Sequence, residues 1–124
     1  ERVQCWTVAG RQTEQKDSPA PADVIALLRA AGGVSSVAHP GKLRRDHLIG
    51  PMVAAGLDAI EVYHSDHSVA DVVRYQAMVD HHGVMVTGGS DYHGPGSGRT
   101  EGLGVVGLPP AAFDRLADYA ARRR

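Results

Sequence analysis

The sequence predicts an α/β domain built on parallel strands. Two observations carry that prediction: helical and apolar-strand patterns alternate along the 124 residues, and three strand patterns each run directly into a loop bearing histidine or aspartate. A third observation bears on chemistry, because the chain holds 7 histidines but a single cysteine, Cys5, which excludes a disulfide framework and a cysteine-based zinc finger. Thirteen Lys and Arg against fourteen Asp and Glu leave a net charge of −1, which argues against a basic module that binds nucleic acid by bulk charge. A composition of 43% hydrophobic and 22% charged residues suits one compact domain or a large piece of one. No apolar run approaches the roughly 20 residues of a membrane span and no signal peptide opens the chain, so no membrane partner and a cytoplasmic location are expected.

Residues 1–17 are polar and aperiodic after Val3–Val8, and are expected to be an irregular arm or linker. Pro21 at a first helical position and Asp23 in the first turn open a helix. Its expected apolar face is Val24, Leu27, Leu28 and Ala31, and Gly32-Gly33 ends it. Val34 to Ala38 reads as a buried strand stopped by Pro40-Gly41. A helical stretch over 46–55, interrupted at Gly50-Pro51, leads to a strand from Asp58 to Tyr63. Ser68 and Asp71 have the spacing of an N-cap with an acidic third residue, with Val69, Val72, Val73 and Ala77 on the expected buried face and Gly83 at the end. Val84 to Thr87 is the third apolar strand, a short strand is expected near Leu103 to Val106, and a helix from about Pro110 to Ala121 closes the pattern.

In a parallel sheet all carboxyl ends lie on one rim, where ligands collect. His39 follows the first strand, His64 to His67 the second, and Gly88-Gly89-Ser90-Asp91-Tyr92-His93-Gly94 the third. Imidazoles with a carboxylate on short loops suit a borderline divalent ion such as Mn, Fe or Zn. Asp91 and His93 face one cavity if their backbone is extended; the same residues are also ordinary turn chemistry. Glu61 lies inside a strand and reads as a ligand or as the partner of a nearby arginine, the partner role being favoured. His47 is read as solvated and His81-His82 as a complement to a helix dipole. Arg122 to Arg124 read as a solvated helix end. Lys42 and Arg99 are candidate phosphate clamps on rim loops, or plain surface cations.

At Ala38-His39-Pro40-Gly41, Gly56-Leu57-Asp58-Ala59-Ile60-Glu61-Val62-Tyr63 and Gly88-Gly89-Ser90-Asp91-Tyr92-His93-Gly94, the sequence resembles the polymerase and histidinol phosphatase (PHP) superfamily. The nearest branch is that of nucleoside 3′,5′-bisphosphate phosphatases and 5′-to-3′ exoribonuclease-like phosphoesterases. The resemblance spans about residues 20 to 108. It implies a distorted (β/α)7 barrel with a metal cluster at its carboxyl rim, residues 18–124 being the carboxyl-terminal part. It implies His39, Asp91 and His93 as metal ligands, Asp91 and His93 acting in catalysis, and His67 as a contact to substrate or metal. The implied cofactor is a divalent metal, Mn first, with Fe or Zn as alternatives. The implied reaction is hydrolysis of phosphate esters of nucleotides or oligonucleotide ends.

One departure bears on activity. The family's His-x-His segment is missing, since no histidine precedes His39. The resemblance therefore implies an upstream amino-terminal half of the same barrel as partner, and a segment that is inactive alone. Two rival readings stand beside it: an amidohydrolase-type metal hydrolase, with similar strand-end ligands, and a non-catalytic truncated barrel that docks or regulates.

Overall fold

The structure, a computed structural model, describes residues 19–97 and 102–123. The arm expected over 1–17 and the proposed clamp Arg99 lie outside these residues. The described elements run α1 (Pro21–Ala30), β1 (Ser36–Val37), α2 (Pro40–Leu43), a 3-10 turn (Asp46–Leu48), α3 (Ile49–Ala54), β2 (Ala59–His64), α4 (Val69–His82), β3 (Met85–Gly89) and α5 (Pro110–Ala121). The strands form one parallel sheet in the order β1-β2-β3. The α/β class and the parallel pairing agree with the sequence reading. No helix among the described residues is long and apolar enough to cross a membrane.

Local chemistry accounts for the helix ends. Ser68 caps α4 by accepting from the Asp71 N–H at 3.1 Å, while the Asp71 carboxylate accepts the Ser68 N–H at 3.0 Å. Gly83, left-handed at φ 66°, terminates the same helix. Gly50-Pro51 does not interrupt a helix. It lies in the first turn of α3, where the N–H that proline lacks would have no helical partner.

The core gathers Ile49, Ile60, Val62, Tyr75, Val79, Val86 and Ala112, so α3, α4 and α5 cover one face of the sheet. Two expected helix faces are corrected. On α4 the buried residues are Tyr75 and Val79, while Val69 and Val73 are exposed. On α1 only Ile25 is buried, beside the Gly56 turn, and Leu27 is exposed. On α4 the sheet offers a contact strip that accommodates only part of the valine set.

No strand forms over Leu103 to Val106; the segment is turn and bend. Gly104 is left-handed at φ 76° and the Val105 N–H reaches back to the Gly102 carbonyl, which breaks an extended run. Arg123 is likewise no solvated terminus. Its guanidinium donates to the buried Asp58 carboxylate, which also accepts from the Tyr119 hydroxyl at 2.6 Å and from the Ser35 N–H at 2.9 Å and hydroxyl at 3.0 Å. This network ties α5 to the amino end of β2, at the opposite end of the strand from the histidine loops.

The other sheet face is polar and curled. Ser36 on β1 and Thr87 on β3 share a hydroxyl hydrogen bond of 2.7 Å. Flat neighbouring strands would hold the outer two about 9.6 Å apart, so two short side chains meet only if the sheet bends toward this face. The fully buried Ala59 of β2 lies in register with Ser36.

Close approach at the β2–β3 seam demands a glycine. A Cβ on Gly88 would stand 2.8 Å from the Tyr63 Cβ and 3.0 Å from the Tyr63 carbonyl oxygen. Gly88→Ala is therefore expected to cost about 1–3 kcal/mol, read by chemical denaturation, by prising the seam apart next to the site. A neutral substitution would show that the seam relaxes freely.

Candidate metal centre

Three strand ends deliver three loops to one rim. The αL conformation of His39 (φ 34°, ψ 54°) turns the chain sharply from β1 into α2. Asp91 is also left-handed, at φ 55°, beyond β3. The extended backbone expected at Asp91 is thus replaced by a turn. Left-handed non-glycine residues are uncommon, and two of the three among the described residues are candidate ligands.

His64, the last residue of β2, sits between these loops. Its ring centroid is 5.6 Å from that of His39, and its Nε2 is 3.5 Å from the Asp91 Oδ2. The His93 Nδ1 is 3.7 Å from the Asp91 Oδ1 and 2.6 Å from the Asp91 carbonyl oxygen. The structure thus sets His39 and Asp91 against His64, and His93 against Asp91. The sequence places His64 on this rim but assigns it no role; its position at the carboxyl end of the central strand is the signal that marks it.

Hydrogen bonds assign the imidazole protons. A carbonyl only accepts, so the His93 Nδ1 carries the proton and its Nε2 keeps a lone pair for a ligand. His67 donates from Nδ1 to the Val62 carbonyl at 2.8 Å and accepts the Gly41 N–H on Nε2 at 3.1 Å. Both of its nitrogens are engaged with backbone, and its ring stacks on Tyr75. In this conformation His67 braces the His39 turn instead of offering a donor. A Cβ on Gly41 would meet that ring at 2.7 Å, which is why glycine follows Pro40.

Glu61 accepts the His39 N–H at 2.7 Å, so its recorded partner is that backbone group and not an arginine side chain. Burial pushes its carboxyl above the ordinary 4.5; the His39 N–H opposes this and the Asp91 charge adds to it. The native state therefore holds this proton more tightly than the unfolded chain does. The Glu61 contribution to stability is complete below 4.5 and is lost as pH rises through the raised native value. Glu61→Gln keeps an acceptor for His39, and in metal-free protein it is expected to raise the thermal midpoint at about pH 8 and to lose that advantage toward about pH 4. A gain that was independent of pH would refute the buried-charge explanation.

Lys42 reaches the rim but is paired with Asp66 at 3.0 Å. Ser65 donates to the Ser90 carbonyl at 2.9 Å, locking the β2 and β3 loops together.

The donor chemistry fits a divalent cation. The buried His39 Nδ1 has no hydrogen-bond partner, the His93 Nε2 is a lone pair, and Asp91 supplies negative charge. Yet among the described residues no group of three or more His, Cys, Asp or Glu closes into a metal-binding set. The fit is that of part of a centre.

No family model matches the chain. Over 72 residues it is 39% identical to a phosphoribosyl 1,2-cyclic phosphate 1,2-diphosphodiesterase from Eggerthella lenta, covering 58% of this chain and 28% of the relative. Over 105 residues it is 34% identical to a 3′,5′-nucleoside bisphosphate phosphatase from Chromobacterium violaceum, covering 81% of this chain and 37% of that protein. Among solved structures, a chain from Bifidobacterium adolescentis provisionally assigned as a metal-dependent phosphoesterase superposes with a TM-score of 0.71 at 31% identity, over 88% of this chain and 41% of its own. An amidohydrolase from Chromobacterium violaceum, with sulfate and no metal bound, gives a TM-score of 0.65 at 28% identity, over 82% of this chain and 37% of its own. The chain therefore spans between 28% and 41% of the length of these relatives. Motifs, fold and relatives agree: the chain is homologous to part of these phosphoesterases, as the resemblance to the polymerase and histidinol phosphatase superfamily implies.

Proposed function

We propose that the protein containing this chain is a metal-dependent phosphoesterase that hydrolyses phosphate esters of nucleotides or oligonucleotide ends in the cytoplasm. The observation that carries the reading is the contact of His39 and Asp91 with His64, and of His93 with Asp91, at the carboxyl rim of a parallel sheet. The names of the Eggerthella and Chromobacterium relatives favour phosphate esters over amides.

In this reading His39, Asp91 and His93 hold the cation, Mn in the first instance and Fe or Zn alternatively. A divalent ion there supplies Lewis acidity toward a phosphoryl group and toward water. Asp91 provides the charge that competes with hydration, and His93 presents Nε2. Glu61 fixes the His39 turn through its N–H. Lys42, His67 and Arg99 are the proposed substrate contacts; for Lys42 this requires release from Asp66, and for His67 a change of hydrogen bonding. The Ser36–Thr87 bond supports a sheet curled as in a barrel wall, with residues 18–124 as the carboxyl-terminal part of a PHP-type domain, residues 1–17 as an arm and the remaining ligands upstream.

The test is a substrate panel on the full-length protein with Mn: nucleoside bisphosphates, phosphate-ended oligonucleotides, cyclic phosphodiesters and amides. Turnover is expected on the phosphate esters and none on amides. The reverse pattern would move the protein to the amidohydrolase reading, which the name of the Chromobacterium structure favours. Residues 1–124 alone are expected to be inactive.

A further inference from the structure

We infer that His64 is a positioning residue whose Nε2–H orients the Asp91 carboxylate, and that it is not itself a metal ligand. The inference rests on the metal-centre reading for the role of Asp91, but the proton assignment stands on hydrogen bonding alone.

The Asp66 N–H donates to the His64 Nδ1 at 3.0 Å. A protonated Nδ1 would set two donors against each other, so Nδ1 holds the lone pair and, in the neutral ring, Nε2 carries the hydrogen. A metal needs a lone pair, and the nitrogen that has one is already occupied by backbone. The His64 side chain is fully buried, and its Nε2 makes no hydrogen bond, yet it stands 3.5 Å from the Asp91 Oδ2. A buried N–H without an acceptor costs free energy, and the neighbouring carboxylate oxygen is the acceptor within reach. Contacts of this kind are often long in the unliganded site and shorten when the reacting complex assembles.

The loop architecture serves this contact. Asp66, whose N–H fixes the tautomer, is also held by Lys42 through its carboxylate. Ser65 is anchored to Ser90, immediately before Asp91. The β2 loop thus carries both the group that sets the His64 proton and the group that fixes the backbone leading into Asp91. Hydrogen-bonding partners behind a metal-binding carboxylate fix its rotamer, and losing one costs about 10–100-fold in metal affinity.

The experiment uses the full-length protein. In metal-free, 15N-labelled protein, long-range proton–nitrogen NMR reads the His64 tautomer directly, and the expected pattern is a bare Nδ1 with a protonated Nε2. Mn titration by calorimetry then compares His64→Leu, which removes the donor, with His64→Gln, whose amide nitrogen can occupy the Nε2 position. His64→Leu is expected to weaken Mn binding by about 10–100-fold, with His64→Gln restoring most of it. An Nδ1–H tautomer, or equal losses in both variants, would overturn the proposal and point to direct ligation. Unchanged affinity in His64→Leu would overturn it too. Asp91→Asn serves as the control: if Asp91→Asn loses Mn while His64→Leu does not, the positioning role alone fails. If Asp91→Asn also keeps Mn, the metal-centre reading fails with it.

Discussion

Asp91→Asn in the full-length protein is expected to lower Mn affinity and turnover together, each by about 100-fold or more, while the thermal midpoint of the metal-free protein stays near that of the native protein. Asparagine keeps the size of the side chain and an acceptor oxygen but removes the charge that draws a cation from water. It also tolerates the left-handed backbone that Asp91 adopts at φ 55°, so the turn survives the exchange. Removing the Asp91 charge also takes away one cause of the raised Glu61 pKa. Tyr92→Phe is the comparison in the same loop. Its ring is substantially exposed and only a hydroxyl is removed, so a milder effect is expected. Metal content, turnover and midpoint measured on both variants check the pair. Full metal occupancy and near-native turnover in Asp91→Asn would reduce the carboxylate to a turn residue and remove the basis of the proposed activity.

The largest stability effect is expected at the other end of the sheet. Asp58→Asn is expected to cost about 3–5 kcal/mol in chemical denaturation, because it leaves the Arg123 guanidinium without its counter-charge. The Asp58 and Arg123 side chains are only 3% and 15% exposed, so water compensates little. The asparagine NH2 would also face donors on one side, either those of Ser35 on the Oδ2 position or those of Tyr119 and Arg123 on the Oδ1 position. Burial raises the Tyr119 pKa, as does its hydrogen bond to Asp58, so the phenol stays a donor across the physiological range. Turnover per folded molecule should hardly change, since Asp58 lies at the amino end of β2 and the site at the carboxyl end. A loss under about 1 kcal/mol would show that the ion pair is idle, as many exposed pairs are.

These two variants separate the poles of one strand. Between Asp58 and His64, β2 places a stabilising ion pair at one end and a cluster of imidazoles at the other. Parallel sheets commonly divide labour in this way, with chemistry at the carboxyl ends and stability at the amino ends.

Much of this was legible in the residues themselves. The capping pair Ser68 and Asp71, the Gly83 stop and the bounds of α5 depend on contacts within about one helical turn, so sequence spacing states them directly. That His39, Asp91 and His93 share a rim followed from strand ends in a parallel sheet, a rule of topology that needs no coordinates. Tertiary structure alone decided the rest. Arg123 and Asp58 are 65 positions apart, and nothing local distinguishes a buried guanidinium from a solvated one. Val69 and Val73 have the same apolar side chain as Val79, and only the width of the sheet beneath α4 selected which one to bury. His64, His67 and His93 are chemically identical in the sequence; the Val62 and Asp91 carbonyls put the proton of His67 and His93 on Nδ1, while the Asp66 N–H puts that of His64 on Nε2. Local signals act through neighbouring backbone and survive in the sequence, whereas burial and protonation depend on which atoms the fold sets beside a group.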